Sequence, residues 1–357
     1  MPDRERLVVV GNGMAGMACV EQILKYDAPF DITVFGDETH TNYNRVMLSS
    51  VLAGEKAPDD IVINSPEWYR RHGITLHVGV RIVSVDPHTR HVIGDDGAVT
   101  PYDKLLLATG SSPWMPPIDG LTRDGVFVFR TLDDTRELIR RSGPETRAIV
   151  IGGGLLGLEA ARGLQVQGCQ VSVVHLMSTL MERQLDPDGG YYLVGKMEEL
   201  GVNVLLGRTT VAILGNGHVE AVALSDGTCL DADLVVVAAG IRPNIDLAVQ
   251  AGVICNRGIV VNDFMETSHP DVFAVGECVE HRGVCYGLVA PLYEQGKVLA
   301  ATMTGRRGAT YEGTIQARRS GSIGYTVRVV PHHPKLAGVA EMGLATLPSE
   351  LPTPPSV

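Results

Sequence analysis

The residues best suited to chemistry in this chain fall in two glycine-rich runs. Gly11, Asn12, Gly13, Met14, Ala15 and Gly16 follow a short apolar stretch at residues 7–10. Gly152, Gly153, Gly154, Leu155, Leu156 and Gly157 follow another at residues 148–151. Both have the spacing G-x-G-x-x-G. In such a run the first glycine makes a tight turn, the second lets the backbone approach a pyrophosphate, and the third lets a helix pack closely on a strand. The N-terminus of that helix then faces two phosphate charges. One copy is weak testimony, because glycine-rich turns arise for many reasons. Two copies, each set between a strand and a helix, point to two bound dinucleotides.

The residue after the second strand of each unit bears on which dinucleotide is held, since a carboxylate there accepts ribose hydroxyls. In the first copy that place falls on Gly36, with Asp37 and Glu38 adjacent, and Asp37 is favoured. In the second copy it falls on His175. A neutral histidine suits either NADH or NADPH. Arg183 is close enough in sequence to meet a 2′-phosphate, and an ordinary surface ion pair is its alternative role. The coenzyme is therefore left open. The six cysteines (Cys19, Cys169, Cys229, Cys255, Cys278 and Cys285) form no CxxC pair and have no metal-site spacing, so each is expected to be a small buried hydrophobe.

These residues need particular elements to hold them. Strand, glycine turn, helix and strand are expected at residues 7–10, to about 26, and 32–35; the same order returns at 148–151, to about 167, and 171–174. The repeat predicts an α/β fold of the three-layer type, with two Rossmann-like dinucleotide-binding domains, each built on its own parallel sheet. Residues 105–110 end in Ala108, Thr109 and Gly110, followed by Ser111, Ser112, Pro113 and the pair Pro116 and Pro117, which suggests a crossing between domains. Residues 234–239, closed by Gly240, read as the return crossing. One domain is thus assigned to 1–112 and 245–308, and the other to 113–244. The Arg- and Pro-rich tail at 309–357 receives no fold.

Length and charge set outer bounds. A chain of 357 residues has room for two domains. Its formal net charge of −11 argues against nucleic acid or an anionic membrane as partner, because both require a basic field. A charged N-terminal stretch and the lack of any apolar run near 18 residues lead to the expectation of a cytoplasmic protein without membrane spans.

The run Thr267 to Glu277, which ends in Gly276 and Glu277, resembles the second flavin-binding motif of the pyridine nucleotide–disulfide reductase-like superfamily, with Glu277 in place of an aspartate that binds the ribityl chain. Residues 105–110 resemble that superfamily's domain-crossing motif. The stretch from Pro291 resembles the helix that points its N-terminus at the flavin, although an ordinary packing helix is the plain alternative. A closer likeness lies in Asn42 to Gly54, His175 to Asp186 and Gly276 to Leu292, which together resemble the N-terminal module of the NAD(P)H-dependent nitrite reductase large subunit over about residues 5–316.

That resemblance implies FAD in the first site and NAD(P)H in the second. It puts Arg45 and Ser49 along the FAD and Glu159 near the nicotinamide; by themselves, Arg45 would be a solvated loop charge and Glu159 a helix carboxylate. It implies an NAD(P)H oxidoreductase that passes electrons through FAD to an iron–sulfur and sirohaem nitrite reductase module in nitrate assimilation, and it allows a homodimer. A rubredoxin or ferredoxin is the alternative acceptor, and a catalytically idle flavin-binding partner subunit is the alternative role. No cysteine set for an iron–sulfur cluster is present, so nitrite reduction itself is not expected on this chain. The absence of a cysteine near residues 40–50 argues against a flavin-adjacent thiol.

Overall fold

The computed structural model describes residues 4–306. The tail assigned to 309–357, and the last two residues of the segment 245–308, lie outside the described residues. The two glycine repeats form two five-stranded sheets of the same plan. In the first, the order is Val272–Ala274, Lys104–Leu107, Glu5–Val10, Phe30–Gly36 and Thr75–Val78. In the second it is Val202–Leu205, Gln170–Val174, Arg147–Ile151, Leu234–Val237 and Val126–Val128. All neighbours are parallel. The strand preceding each glycine turn is central in its sheet, and the chain leaves it first to one side and later returns on the other. This is the switch point of a doubly wound sheet, where a crevice opens beyond the carboxyl ends of the strands.

The three-layer expectation is met in the second sheet residue by residue. Ala148, Val150, Val171, Val173, Leu234 and Val236 pack with Leu138, Leu158, Leu164 and Met197 of the helices. Their chain neighbours Ile149, Ile151, Val174, Val235 and Val237 pack instead with Ile213, Val222 and Leu224. Those three belong to an antiparallel sheet of Thr210–Leu214, Ala221–Leu224 and Cys229–Asp231. A period of two on a strand buried on both faces gives this division, and it explains why the strands read as unbroken apolar runs.

The first sheet is covered in the same manner by the helices Met14–Lys25 and Val289–Met303 and by a second antiparallel sheet of Ile82–Asp86, His91–Gly94 and Val99–Pro101. The helix expected from Pro291 begins at Val289, which places the proline in the first turn, where its missing N–H costs nothing. This helix lies so close to Met14–Lys25 that a Cβ on Gly296 would come within 3.0 Å of the Cys19 backbone nitrogen.

Both expected crossings meet in one ribbon. Ser111–Pro113 pairs antiparallel with Ile241–Pro243. Asn244 clasps it: its Nδ2 donates to the Thr109 carbonyl at 2.8 Å, its Oδ1 accepts from Ser112 Oγ at 2.7 Å, and its own carbonyl accepts from Thr109 Oγ1 at 2.7 Å. The cysteines divide. Cys19, Cys169 and Cys278 are buried as expected, whereas Cys255 and Cys285 are partly exposed and Cys229 is exposed. Cys229 opens the edge strand Cys229–Asp231, whose outer side faces solvent.

Candidate functional site

The two glycine turns coincide down to single hydrogen bonds. Gly11 N–H donates to the Phe35 carbonyl at 2.8 Å, and Gly152 N–H to the Val174 carbonyl at 2.9 Å. A Cβ on Gly11, at φ +111°, would lie 2.1 Å from the Ala108 carbonyl oxygen; on Gly152, at φ +124°, it would lie 2.3 Å from that of Ala238. Gly16 and Gly157 are closed in as well, by Ala108 Cβ at 2.9 Å and by the Gly152 carbonyl oxygen at 2.1 Å. The middle glycines differ from both: a Cβ on Gly13 or Gly154 would meet nothing within 4 Å. Outer glycines locked by packing and a middle glycine facing open space make a cradle for a pyrophosphate.

Capping supports this fit. Among the described helices of six residues or more, those starting at Pro66, Leu132 and Pro187 have a side-chain cap from Ser65, Thr131 and Asp186. The helices starting at Met14, Leu155 and Val289 have none. The first-turn N–H groups of those three, including Met14, Ala15, Leu155 and Leu156 in the two glycine helices, have no side-chain oxygen to accept from them and suit an anion. Asn12 adds a buried donor. Its Oδ1 accepts from Tyr69 O–H at 2.7 Å, while its Nδ2 is buried without a hydrogen-bond partner among the described residues.

Around the first turn, the carboxyl ends of neighbouring strands bring the remaining groups together. Asp37, favoured for the ribose, has a side chain 57% exposed, 3.5 Å from Arg81. Glu38 folds back, 18% exposed, to accept from Tyr43 O–H at 2.7 Å and to pair with Arg45. Arg45 also donates to the Arg130 carbonyl at 2.9 Å. Ser49 sits on the short helix Leu48–Leu52, its Oγ donating to the Val46 carbonyl at 3.3 Å. Ala108 is buried beneath the turn, and Gly110, at φ +65°, leads into the ribbon.

Glu277 follows Gly276, whose φ is +98° and whose N–H donates to the buried Gln295 Oε1 at 2.8 Å. The Glu277 carboxylate accepts from Ser111 Oγ at 2.7 Å and pairs with Arg130, and Arg130 also donates to Ser111 Oγ at 2.9 Å. The sequence does not mark Arg130, Ser111 and Tyr43 as site residues. Tyr43 and Ser111 fall within stretches the sequence marks for other reasons, and Arg130, 147 positions from Glu277, falls within none.

At the second turn, His175 is 8% exposed and does not point to open solvent. Its Nδ1 accepts from Gly153 N–H at 3.0 Å and its Nε2 lies 3.1 Å from Glu182 Oε2. Arg183 is exposed, with no ion pair among the described residues. Gly240, at φ +128°, turns the chain after Leu234–Val237 with open space at its Cα. Glu159 lies on the helix Leu155–Val166, partly buried and without an ion pair among the described residues, and burial holds its carboxyl above the ordinary range. A cavity of about 680 Å³ lined by Arg147, Gln170, Gly201 and Asp231 lies at the opposite, amino ends of the second sheet, away from all of these groups. No group of residues able to hold a metal occurs among the described residues.

Two doubly wound sheets, each with a phosphate-ready glycine turn, define a two-dinucleotide oxidoreductase fold. Comparison with known proteins gives the family. The model for pyridine nucleotide-disulphide oxidoreductase matches residues 5–304, and the chain belongs to this family. A second model, the glycogen phosphorylase C-terminal domain, matches residues 279–349, overlapping the first to residue 304 and otherwise lying almost wholly outside the described residues.

Similar proteins include the assimilatory nitrate reductase electron transfer subunit of Bacillus subtilis, 50% identical over 87% of this chain and 40% of that protein. The nitrite reductase [NAD(P)H] of the same organism is 49% identical over 87% of this chain and 39% of that protein. The chain thus spans about two fifths of the length of these relatives. The rubredoxin-NAD(+) reductase of Acinetobacter baylyi is 32% identical over 84% of this chain and 78% of that protein. Among solved structures, the covalent putidaredoxin reductase–putidaredoxin complex matches with a TM-score of 0.82 and 29% identity, over 86% of this chain and 77% of that one.

Proposed function

We propose that this chain is the electron-input module of an assimilatory nitrite-reducing system, holding FAD at the first glycine turn and NAD(P)H at the second. The observation that carries the proposal is the duplicated cradle, with its outer glycines packed, its middle glycine open and its helix N-terminus uncapped. The relatives named for nitrite reduction support the choice of system. In this reading the FAD domain comprises 1–112 and 245–308 and the NAD(P)H domain 113–244, joined at the paired ribbon. The location is cytoplasmic; no described helix is long and apolar enough to cross a membrane.

FAD, when bound, supplies the acceptance of two electrons from reduced nicotinamide and their release to a redox protein. The residues of this chain hold and orient the groups. Gly11 to Gly16 receive the FAD pyrophosphate, Asp37 or Glu38 the adenosine ribose, and Glu277 the ribityl chain. Arg45 and Arg130 brace those carboxylates. Gly152 to Gly157 receive the pyrophosphate of the nicotinamide coenzyme. Glu159, partly dehydrated, takes a position beside the nicotinamide and needs no proton transfer of its own.

The acceptor is proposed to be an iron–sulfur and sirohaem nitrite reductase module. A rubredoxin or ferredoxin is the second reading, favoured by the relative named as a rubredoxin reductase, of which the chain covers most of the length. Stopped-flow oxidation of the reduced protein by each purified acceptor distinguishes them. Faster oxidation by the sirohaem module supports the first, and faster oxidation by rubredoxin or ferredoxin supports the second. A flavin that neither acceptor reoxidises would assign the chain an idle binding role.

A further inference from the structure

We infer that Glu182 supplies the acid missing from the end of the strand Gln170–Val174, and that it makes the second site selective for NADH over NADPH. The inference rests on the proposed reading of the second glycine turn as the nicotinamide-coenzyme site. In a dinucleotide fold the residue after the second strand faces the adenosine ribose; an acid there accepts its hydroxyls and repels a 2′-phosphate. His175 stands at that place, and its ring is fully committed. Because Nδ1 accepts from Gly153 N–H, the ring hydrogen resides on Nε2 and is donated to Glu182 Oε2. Both ring nitrogens are therefore engaged, and the imidazole offers a 2′-phosphate no spare donor.

The chain after His175 is pinned so that Glu182 is the acid at hand. Leu180 is fully buried, with its Cδ2 2.6 Å from where a Cβ of Gly153 would stand. Met181 N–H donates to the Gly153 carbonyl at 3.1 Å, and Met181 takes a left-handed φ of 51°. Glu182 follows directly, one-third exposed, with one carboxylate oxygen on His175 and the other without a partner among the described residues. That second oxygen is placed to accept ribose hydroxyls. Arg208, whose backbone N–H donates to the His175 carbonyl at 3.0 Å, is paired with Asp226, and Arg183, next to Glu182, is exposed. Arg183 is the group that would serve NADPH if the inference is wrong.

The test uses flavin-loaded protein and calorimetric binding of NAD⁺, NADP⁺, 5′-AMP and 2′,5′-ADP, with circular dichroism and flavin content as controls on each variant. The expected result is NAD⁺ bound at least about tenfold more tightly than NADP⁺, and 5′-AMP more tightly than 2′,5′-ADP, as charge repulsion over a few ångströms would give. Glu182→Gln should bring the ratio toward parity, and Arg183→Gln should leave the preference for NAD⁺ in place. Equal or tighter binding of NADP⁺ by the unaltered protein, an unchanged ratio in Glu182→Gln, or selective loss of NADP⁺ binding in Arg183→Gln would overturn the inference while leaving the nicotinamide reading intact. Retention of FAD with no binding of either dinucleotide would overturn both.

Discussion

Valine at the middle glycine of either turn should remove one cofactor without unfolding the protein. Gly13 has φ −85° and ψ 176°, and Gly154 has φ −81° and ψ 177°, an extended backbone that any residue adopts. A Cβ there meets no neighbour within 4 Å. The cost to the apoprotein is then a weaker N-cap, about 1 kcal/mol or less. The cost to a bound dinucleotide is larger, because the new side chain fills the space through which the pyrophosphate reaches the helix N–H groups. Losing two charge-assisted hydrogen bonds at roughly 1.5–3 kcal/mol each gives about 3–6 kcal/mol, or about a 10²- to 10⁴-fold rise in Kd. Gly13→Val should therefore purify as folded apoprotein. Gly154→Val should retain FAD yet need far more NADH for reduction. Gly11→Ala is the contrasting control: at φ +111° with a contact of 2.1 Å, it should cost about 2–5 kcal/mol of stability. Urea unfolding, flavin content and anaerobic reduction read the three effects separately. Folded Gly13→Val and Gly154→Val proteins that lose FAD equally, or a Gly13→Val protein that binds FAD normally, would refute the assignment of the two sites.

Three further outcomes follow from contacts in the site. Arg130→Met leaves the Glu277 carboxylate partly buried without its cation and should destabilise the apoprotein by about 1–3 kcal/mol, with most of the loss recovered in the Arg130→Met, Glu277→Gln double variant; urea midpoints check it. Glu159 has a folded pKa raised by burial, so its contribution to stability is full below the ordinary glutamate range and is lost as pH rises through the raised value. Glu159→Gln should accordingly melt higher than the unaltered protein at pH 8, with the gain fading below about pH 4, in thermal scans of the apoprotein. Asn244→Ala removes the side-chain bonds to Thr109 and Ser112 at the two-stranded ribbon and should cost about 1–3 kcal/mol, read by chemical denaturation.

The parts of the fold legible in the sequence were those with a local cause. Strands buried on both faces are short continuous apolar runs, and the glycine turns repeat with fixed spacing, so a parallel sheet around each turn is legible, whereas the outer strands Thr75–Val78, Val126–Val128 and Val202–Leu205 are short and partly exposed and are not. The antiparallel sheets are not legible in the sequence: Thr210–Leu214 is partly exposed with an irregular pattern, Ala221–Leu224 is only four residues long and mostly buried, and the layer they pack on is far away in sequence. Within the site, Glu277 was legible from its motif, but Arg130 was not, since the ion pair spans 147 positions. His175 was legible as a missing acid. That its ring meets Gly153, and that the chain returns Glu182 to it just after a left-handed Met181, the sequence does not announce.

The central claim is that one chain holds FAD and a nicotinamide coenzyme so that electrons pass between them. Its most direct test is anaerobic titration of the purified protein with NADH and then NADPH, followed by flavin absorbance near about 450 nm. The expected result is a flavin in the denatured extract and bleaching of the bound flavin by NADH at close to one equivalent. A colourless protein, or a bound flavin that neither coenzyme reduces, would contradict it.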